Sequence, residues 1–288
     1  MVISQTPLRI SLVGGGTDLK EYYSIRQGKV ISTAIDKFIY VVIKKRYDDL
    51  IVIHYTDNEI CHKVDDIKHD LIRESLKLVG ITKSIEIATF ADIPSQGSGL
   101  GSSSTVTVGL LNALYNYMGI SVSSEKLAKE ACNIEIDILK KPIGKQDQYI
   151  AAFGGLNHIT FNADESVNIR KYDLNQQTYL KLGSNILMHF TNITRSADKI
   201  LSIQKQDTQK KIDNLNKIAE LVDVLDENLE KNNFSILGVL LRTNWENKKK
   251  LASGITNPDI EEMVDLALNN YADGCKIAGA GGGGFLIS

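Results

Sequence analysis

At 288 residues, with 43% hydrophobic and 24% charged residues, the chain can bury a sizeable core and divide into two domains, which excludes disorder as its main state. Lys and Arg number 33 against 35 Asp and Glu, a formal net charge of −2, so no overall positive field draws nucleic acid or an anionic membrane to it. Cys61, Cys132 and Cys275 form no CxxC pair, the histidines form no HExxH pair, and no apolar stretch reaches the roughly 20 residues of a membrane span. A cytoplasmic protein without a zinc site or structural disulfides is expected.

Residues 8–13, 38–45, 51–55 and 84–90 are short runs rich in β-branched and aromatic residues and are expected as strands, with a helix over 65–79 among them. Over 103–118, Val106, Leu110, Leu111, Leu114 and Met118 recur at spacings of three and four, which predicts a helix with one buried face. A second helix is expected over 124–140, ending before Pro142. Gly154 and Gly155 lead into a strand over 156–161 and then a polar stretch, 162–175, that holds the domain boundary, giving domains 1–165 and 166–288. Beyond it, helices are expected over 197–229, 235–251 and 259–269, packed as a layer on a sheet. Strands with helices segregated behind them make the fold class α+β.

Eleven of the 22 glycines fall in three clusters: Gly14 to Gly16, then Gly97, Gly99 and Gly101, then Gly279 with Gly281 to Gly284. The middle cluster lies in PSQGSGLGSSST, 94–105, between a predicted strand and a predicted helix. Its glycines permit close backbone approach to a ligand, and the helix start offers unpaired N–H groups at its positive dipole end. Ser102 to Ser104 add hydroxyls able to bond phosphate oxygens or ligate a hard cation. No Gly-Lys-Ser/Thr follows, so this is not a Walker A loop, and G-x-G-x-G replaces the dinucleotide fingerprint. Taken alone, the segment fits an ordinary turn as well as a phosphate cradle. TPLRISLVGGGTDL, 6–19, sets Arg9 on a strand ahead of three glycines and Asp18, with a surface turn as the plain alternative. KIAGAGGGGFLI, 276–287, holds its glycines between two apolar strands, as expected where a backbone packs against another backbone or a ligand.

In this order, the three motifs resemble those of the GHMP kinases, the family of galactokinase, homoserine kinase, mevalonate kinase and phosphomevalonate kinase. Within it, STAIDKFIYV, DDIKHDLIRESLKLVGI, GKQDQYIAAFGGLNHI, TRSADKIL, NWENKKKLASGITNP and GAGGGGFLI are most similar to bacterial sugar kinases acting on D-glycero-α-D-manno-heptose 7-phosphate.

The resemblance implies a two-domain GHMP kinase fold with the active site in the cleft between domains, and ATP and Mg2+ as cofactors. The implied reaction is phosphorylation of the anomeric hydroxyl of that heptose 7-phosphate to the 1,7-bisphosphate, for nucleotide-activated heptose and surface polysaccharide. A fucose- or galactose-type sugar kinase, or a non-catalytic sugar- and nucleotide-binding regulator, is the alternative. The phosphate cradle carries over to Pro94, Gly97, Gly99, Leu100, Gly101, Ser102, Ser103 and Ser104. The metal falls to Ser103, or its neighbour Ser102, with Glu135; Asp137, two residues on, does not share a helix face with Glu135. Asp147 takes the place of the base beside the accepting hydroxyl, and Arg9 that of the cation beside Asp147 and the transferred phosphoryl. Sugar contacts fall to Gly15, Gly16, Thr17 and Asp18, with Gly281 and Gly282, and the substrate's own phosphate to Arg195 with Thr194 and Ser196. Lys248 to Lys250 are expected as a solvated charge run. The implied partners are a small-molecule sugar phosphate and ATP, with no nucleic acid and no membrane; a homodimer is compatible with the sequence. Kinases of this family generally continue past the third glycine motif with a further strand and helical segment, so a second domain shortened at Ser288 is expected.

Overall fold

An 18-residue strand, β2 (Gly28–Lys45), forms the spine of a seven-stranded sheet in the computed structural model, which describes residues 1–94, 97–194, 197–205 and 208–288. Strand β1 (Val2–Gly14) runs antiparallel along one edge of β2. The other edge is shared by β5 (Ile85–Ala91), opposite the second half of β2, and β6 (Leu156–Phe161), opposite the first. Strand β3 (Ile51–His54) pairs parallel to β5, β4 (Asn58–Cys61) folds back on β3, and β7 (Val167–Lys171) closes the far edge on β6. Polar residues such as Ser32, Thr33 and Asp36 hide the first half of β2 from the expected strand list; pairing on both edges makes it a strand.

Successive strand side chains point to opposite faces, so a run buried throughout needs cover on both. In β1 that run is residues 8–13, and the helices α3 (Ser102–Tyr117) and α8 (Thr208–Glu230) both pack on this strand. The expected helix over 65–79 is a 3-10 turn, Val64–Asp66, followed by α2 (Asp70–Val79). Between them the buried Glu59 accepts the N–H groups of Lys68 at 2.6 Å and His69 at 3.0 Å, which draws the chain out of helical geometry. Downstream, α4 (Ser124–Cys132) passes into a π-helical stretch, Asn133–Ile138, instead of continuing as α-helix to 140. Its wider turn shifts the phase of the side chains, and such stretches recur at functional sites.

After α1 (Lys20–Tyr23) near the start, α5 (Gln146–Phe153) ahead of β6 and α6 (Gln176–Ser184) after β7, a three-stranded sheet is built from β8 (Met188–Phe190), β10 (Phe285–Ile287) and β9 (Lys276–Ile277). Helices α7 (Ala197–Lys205), α9 (Leu237–Lys248) and α10 (Pro258–Asn269) accompany it. The expected helix over 197–229 is described as α7 and, from Thr208, α8, and its apolar residues serve two targets. Ile200 packs with Trp245, Leu251 and Ile255, whereas Val222, Leu225 and Leu229 join the core of the first sheet. That core runs unbroken from Leu8 and Ile31 to Leu237 and Ile287, and the first sheet continues through β7 to Lys171. Among the described residues no helix is long and apolar enough to cross a membrane.

The second and third glycine clusters meet backbone to backbone. A β-carbon on Gly99 would lie 2.6 Å from the carbonyl oxygen of Ala278, and one on Gly279 would lie 2.5 Å from that of Gly99; both residues have positive φ, +74° and +60°. Gly99→Ala or Gly279→Ala is expected to cost about 2–4 kcal/mol, a fall in Tm of roughly 5–15 °C. At Gly80, where φ is +78° and nothing stands within 4 Å, alanine should cost only the ~1 kcal/mol of the left-handed backbone. Equal losses at Gly80 and Gly279 in thermal denaturation would remove the packing argument.

Candidate active site

Five segments converge on a cavity of about 590 Å³: the end of β1 with its glycine turn, the loop 97–101 with the start of α3, the segment 141–147 entering α5, the helix α7, and the meeting of Lys248 and Leu251 with Gly279 and Ala280. The strand pair β1–β2 slips in register between Pro7 and Arg9 and again between Ser11 and Val13. Irregularities of this kind re-aim strand groups. Here the Arg9 N–H donates to the Leu100 carbonyl at 3.1 Å, and the Leu12 carbonyl accepts from Lys276 Nζ at 3.0 Å.

Arg9 is 3% exposed, and its guanidinium makes three hydrogen bonds. Nε and Nη2 donate to the two carboxylate oxygens of Asp147, each at 2.7 Å, and Nη1 donates to the Gly99 carbonyl at 2.6 Å. Two parallel charge-assisted hydrogen bonds fix the carboxylate in direction as well as position. Gly101 makes room for the pair: a β-carbon there would lie 3.3 Å from the Asp147 carboxyl carbon and 3.4 Å from Arg9 Cγ. The same glycine, at φ +80°, starts α3 without a side-chain cap, so among the described residues the first N–H groups of that helix have no side-chain partner where Ser102, Ser103 and Ser104 line the cavity. The loop is anchored from below by Leu100, which lies in the core, and is braced by a 2.9 Å hydrogen bond between the hydroxyls of Ser98 and Ser102.

The π-helical stretch turns Glu135 inward and leaves Asp137 exposed. Glu135 is fully buried; Ser103 Oγ donates to its Oε1 at 2.6 Å and Gln148 Nε2 to its Oε2 at 2.7 Å. Burial pushes the Glu135 carboxyl up, and the Ser103 hydroxyl and the Lys141 ammonium oppose that shift. Lys141 Nζ stands 3.2 Å from Ser103 Oγ and 3.8 Å from Glu135 Oε1. A carboxylate and a hydroxyl side by side are hard oxygen donors. Among the described residues no group of three or more His, Cys, Asp or Glu could hold a metal. Such a set fits a cation that takes one carboxylate and completes its shell with phosphate oxygens and water, as Mg2+ does, and does not fit zinc.

Asp18 is buried at the start of α5, where its carboxylate accepts the Gln146 N–H at 3.3 Å. Burial, and next the charge of Asp147, push its carboxyl up. Gly15, Gly16, Asp18 and Thr194 line the cavity together with Gly97, Gly99 and Gly101; Arg195 and Ser196 lie outside the described residues. Other expected residues stand elsewhere. Pro94 is exposed and off the lining. Thr17 is turned away, its hydroxyl donating to the Lys29 carbonyl at 2.8 Å and accepting the Lys29 N–H at 3.1 Å. Gly281 and Gly282 pack on Ile255: the Gly282 N–H donates to its carbonyl at 2.5 Å, and a β-carbon on Gly281 would lie 2.7 Å from Ile255 Cγ2.

Lys248 corrects the reading of 248–250 as a solvated run. It lines the cavity and donates to the carbonyls of Gly279 and, at 3.3 Å, Ile277, while Lys249 pairs with Glu246 and Glu261. Wound onto the end of α9, consecutive lysines point in different directions. Lys141, Gln146 and Gln204 also line the cavity and carried no local signal in the sequence.

The family description GHMP kinases N terminal domain fits residues 67–155, and GHMP kinases C terminal fits residues 225–288. The chain is 32% identical to D-glycero-alpha-D-manno-heptose 7-phosphate kinase of Campylobacter jejuni, over 99% of this chain and 88% of the relative. It is 27% identical to L-fucokinase/L-fucose-1-P guanylyltransferase of Bacteroides fragilis, over 99% of this chain and 34% of that longer protein. The crystal structure of a D-glycero-D-manno-heptose 1-phosphate kinase from Bacteriodes thetaiotaomicron superposes with a TM-score of 0.81 at 27% identity, over 100% of this chain and 87% of that one. Glycine motifs, fold and both halves of the family description converge, and the chain belongs to the GHMP kinases, a family that transfers phosphate from ATP with a divalent metal ion.

Proposed function

We propose that this protein transfers the γ-phosphoryl group of ATP, with Mg2+ as the metal, to the anomeric hydroxyl of D-glycero-α-D-manno-heptose 7-phosphate, yielding the 1,7-bisphosphate in the cytoplasm. The observation that carries the reading is the bidentate Arg9–Asp147 pair, set in one cavity with the uncapped start of α3 and close to the Ser103–Glu135 pair. The sugar is supported by the Campylobacter jejuni relative named for it; the Bacteriodes thetaiotaomicron structure carries the name of the same heptose with its phosphate at another position. Residues 1–165 would form the N-terminal and 166–288 the C-terminal kinase domain, with β7 of the latter extending the first sheet.

Phosphoryl transfer is mostly positioning and charge stabilisation. The ATP phosphates lie over Gly97 to Gly101, where the first-turn N–H groups of α3 and the serine hydroxyls receive them. Asp147 accepts a hydrogen bond from the anomeric hydroxyl, which is more acidic than an ordinary alcohol. It takes that proton as the new O–P bond forms and the bond from phosphorus to the ADP oxygen breaks. Arg9 keeps the Asp147 carboxylate oriented and, with Lys141 and Lys248, offsets the charge on the phosphoryl oxygens. Mg2+, if held by Glu135 and Ser103, would supply positive charge to offset that on the phosphates.

Asp147→Asn should lower kcat by roughly 10²- to 10⁴-fold with ATP binding largely kept, and an unchanged kcat in steady-state assays would sink the base assignment. Glu135→Gln should raise the Mg2+ concentration giving half-maximal rate by about 10- to 100-fold; an unaltered Mg2+ titration would take the metal away from Glu135. A panel of heptose 7-phosphate, unphosphorylated heptose, fucose, galactose and mevalonate, with products read by phosphorus NMR, should show heptose 7-phosphate as the preferred acceptor and a new anomeric phosphate. Preference for an unphosphorylated sugar would overturn the substrate and the phosphate role of Arg195.

A further inference from the structure

Two glutamine side chains flank the first glycine turn. Gln204 is 3% exposed, on α7, and its Nε2 has no hydrogen-bond partner among the described residues. Gln146 is the first residue of α5, and its buried Oε1 likewise has none. Both side chains line the cavity. A buried amide atom without a partner normally costs stability, so two at one wall call for a functional account.

The glycine turn is shaped around them. A β-carbon on Gly16 would overlap Gln204 Nε2, and one on Gly15 would lie 3.7 Å from Gln146 Nε2. The next carboxylate in the chain, Asp18, is held by a third glycine, since a β-carbon on Gly144 would overlap its Oδ2. On the far side, α7 directs Ala197, Leu201 and Gln204, at spacings of four and three, toward the cavity, while Ile200 is buried against the Trp245 cluster. Gln204 is therefore fixed by the packing of its helix.

The chemistry of the wall is complementary to adjacent hydroxyls. Asp18 and Gln146 Oε1 accept hydrogen bonds, Gln204 Nε2 donates them, and a hydroxyl does both. We infer that Gln146 and Gln204 are specificity-determining residues that read neighbouring hydroxyls of a polyhydroxylated acceptor, resting on the acceptor reading of this cavity given above. A site of this kind rejects analogues that lack the hydroxyl, because its own buried polar atoms are then left unpaired.

The test takes whichever sugar of the panel the wild-type enzyme turns over, with its monodeoxy analogues, and the variants Gln204→Leu and Gln146→Leu. Each variant should raise the acceptor KM by about 10- to 100-fold with the ATP KM within roughly twofold of wild type and Tm within a few degrees. For at least one deoxy analogue, the penalty seen with wild type should vanish in the variant, which a merely structural role would not produce. An unchanged acceptor KM, equal rises in both KM values, or an undiminished deoxy penalty with every analogue overturns the inference. Turnover of fucose or galactose but not heptose 7-phosphate removes the substrate proposed above while the glutamine test proceeds on that sugar. Turnover of mevalonate alone, or of no acceptor, overturns both.

Discussion

One buried guanidinium holds the site together. Arg9 belongs to β1, yet three guanidinium hydrogen bonds and its backbone N–H reach α5 through Asp147 and the glycine loop through Gly99 and Leu100. A lysine could satisfy only part of this set, because an ammonium lacks the planar fork that meets a carboxylate at two points. Removing one partner would leave the other's charge uncompensated, so the geometry of the proposed site and the integrity of the cavity wall depend on the same bonds. The register shifts on either side of Arg9 make this reach compatible with its place in a sheet.

The walls around Arg9 meet with little side-chain bulk between them. Gly99 faces Ala278 and Gly279 through backbone atoms, Gly284 sits on Ser98 in the same way, and Gly101 leaves space for the ion pair. Close backbone approach brings both halves of the chain to the glycine loop of residues 97–101. Behind the wall, Lys276 joins the Leu12 carbonyl to Asn244 Oδ1, each at 3.0 Å. Burial, with Lys248 and Arg9 nearby, pushes its amine well below the ordinary lysine value.

The glycine-serine loop and the helix behind it were legible as local signals, glycines with serines ahead of a 3.6-residue apolar period, whereas Asp147 was pointed out only by the family resemblance. That only one of Glu135 and Asp137 turns inward was legible too, since neighbours two apart cannot share a helix face; the resemblance pointed to Glu135, and the π-helical turn that places it was not legible. Half of β2 was hidden because its strand character comes from two partners and not from its own alternation. Lys248 was hidden within a charge run whose average character is that of a surface.

Residue order alone carried the motifs by which the chain resembles its family, and the α+β class, because glycine clusters and helix and strand periods are local features. Tertiary structure alone decided which side chains face one another. Thr17 was spent on Lys29, Gly281 and Gly282 on Ile255, and Gln204 and Lys248 entered the cavity in their stead. The contacts that make these choices join residues 138 positions apart in the Arg9–Asp147 pair and 264 apart in the Leu12–Lys276 clasp. No local preference specifies them; the packing of helices from the second half of the chain onto β1 does.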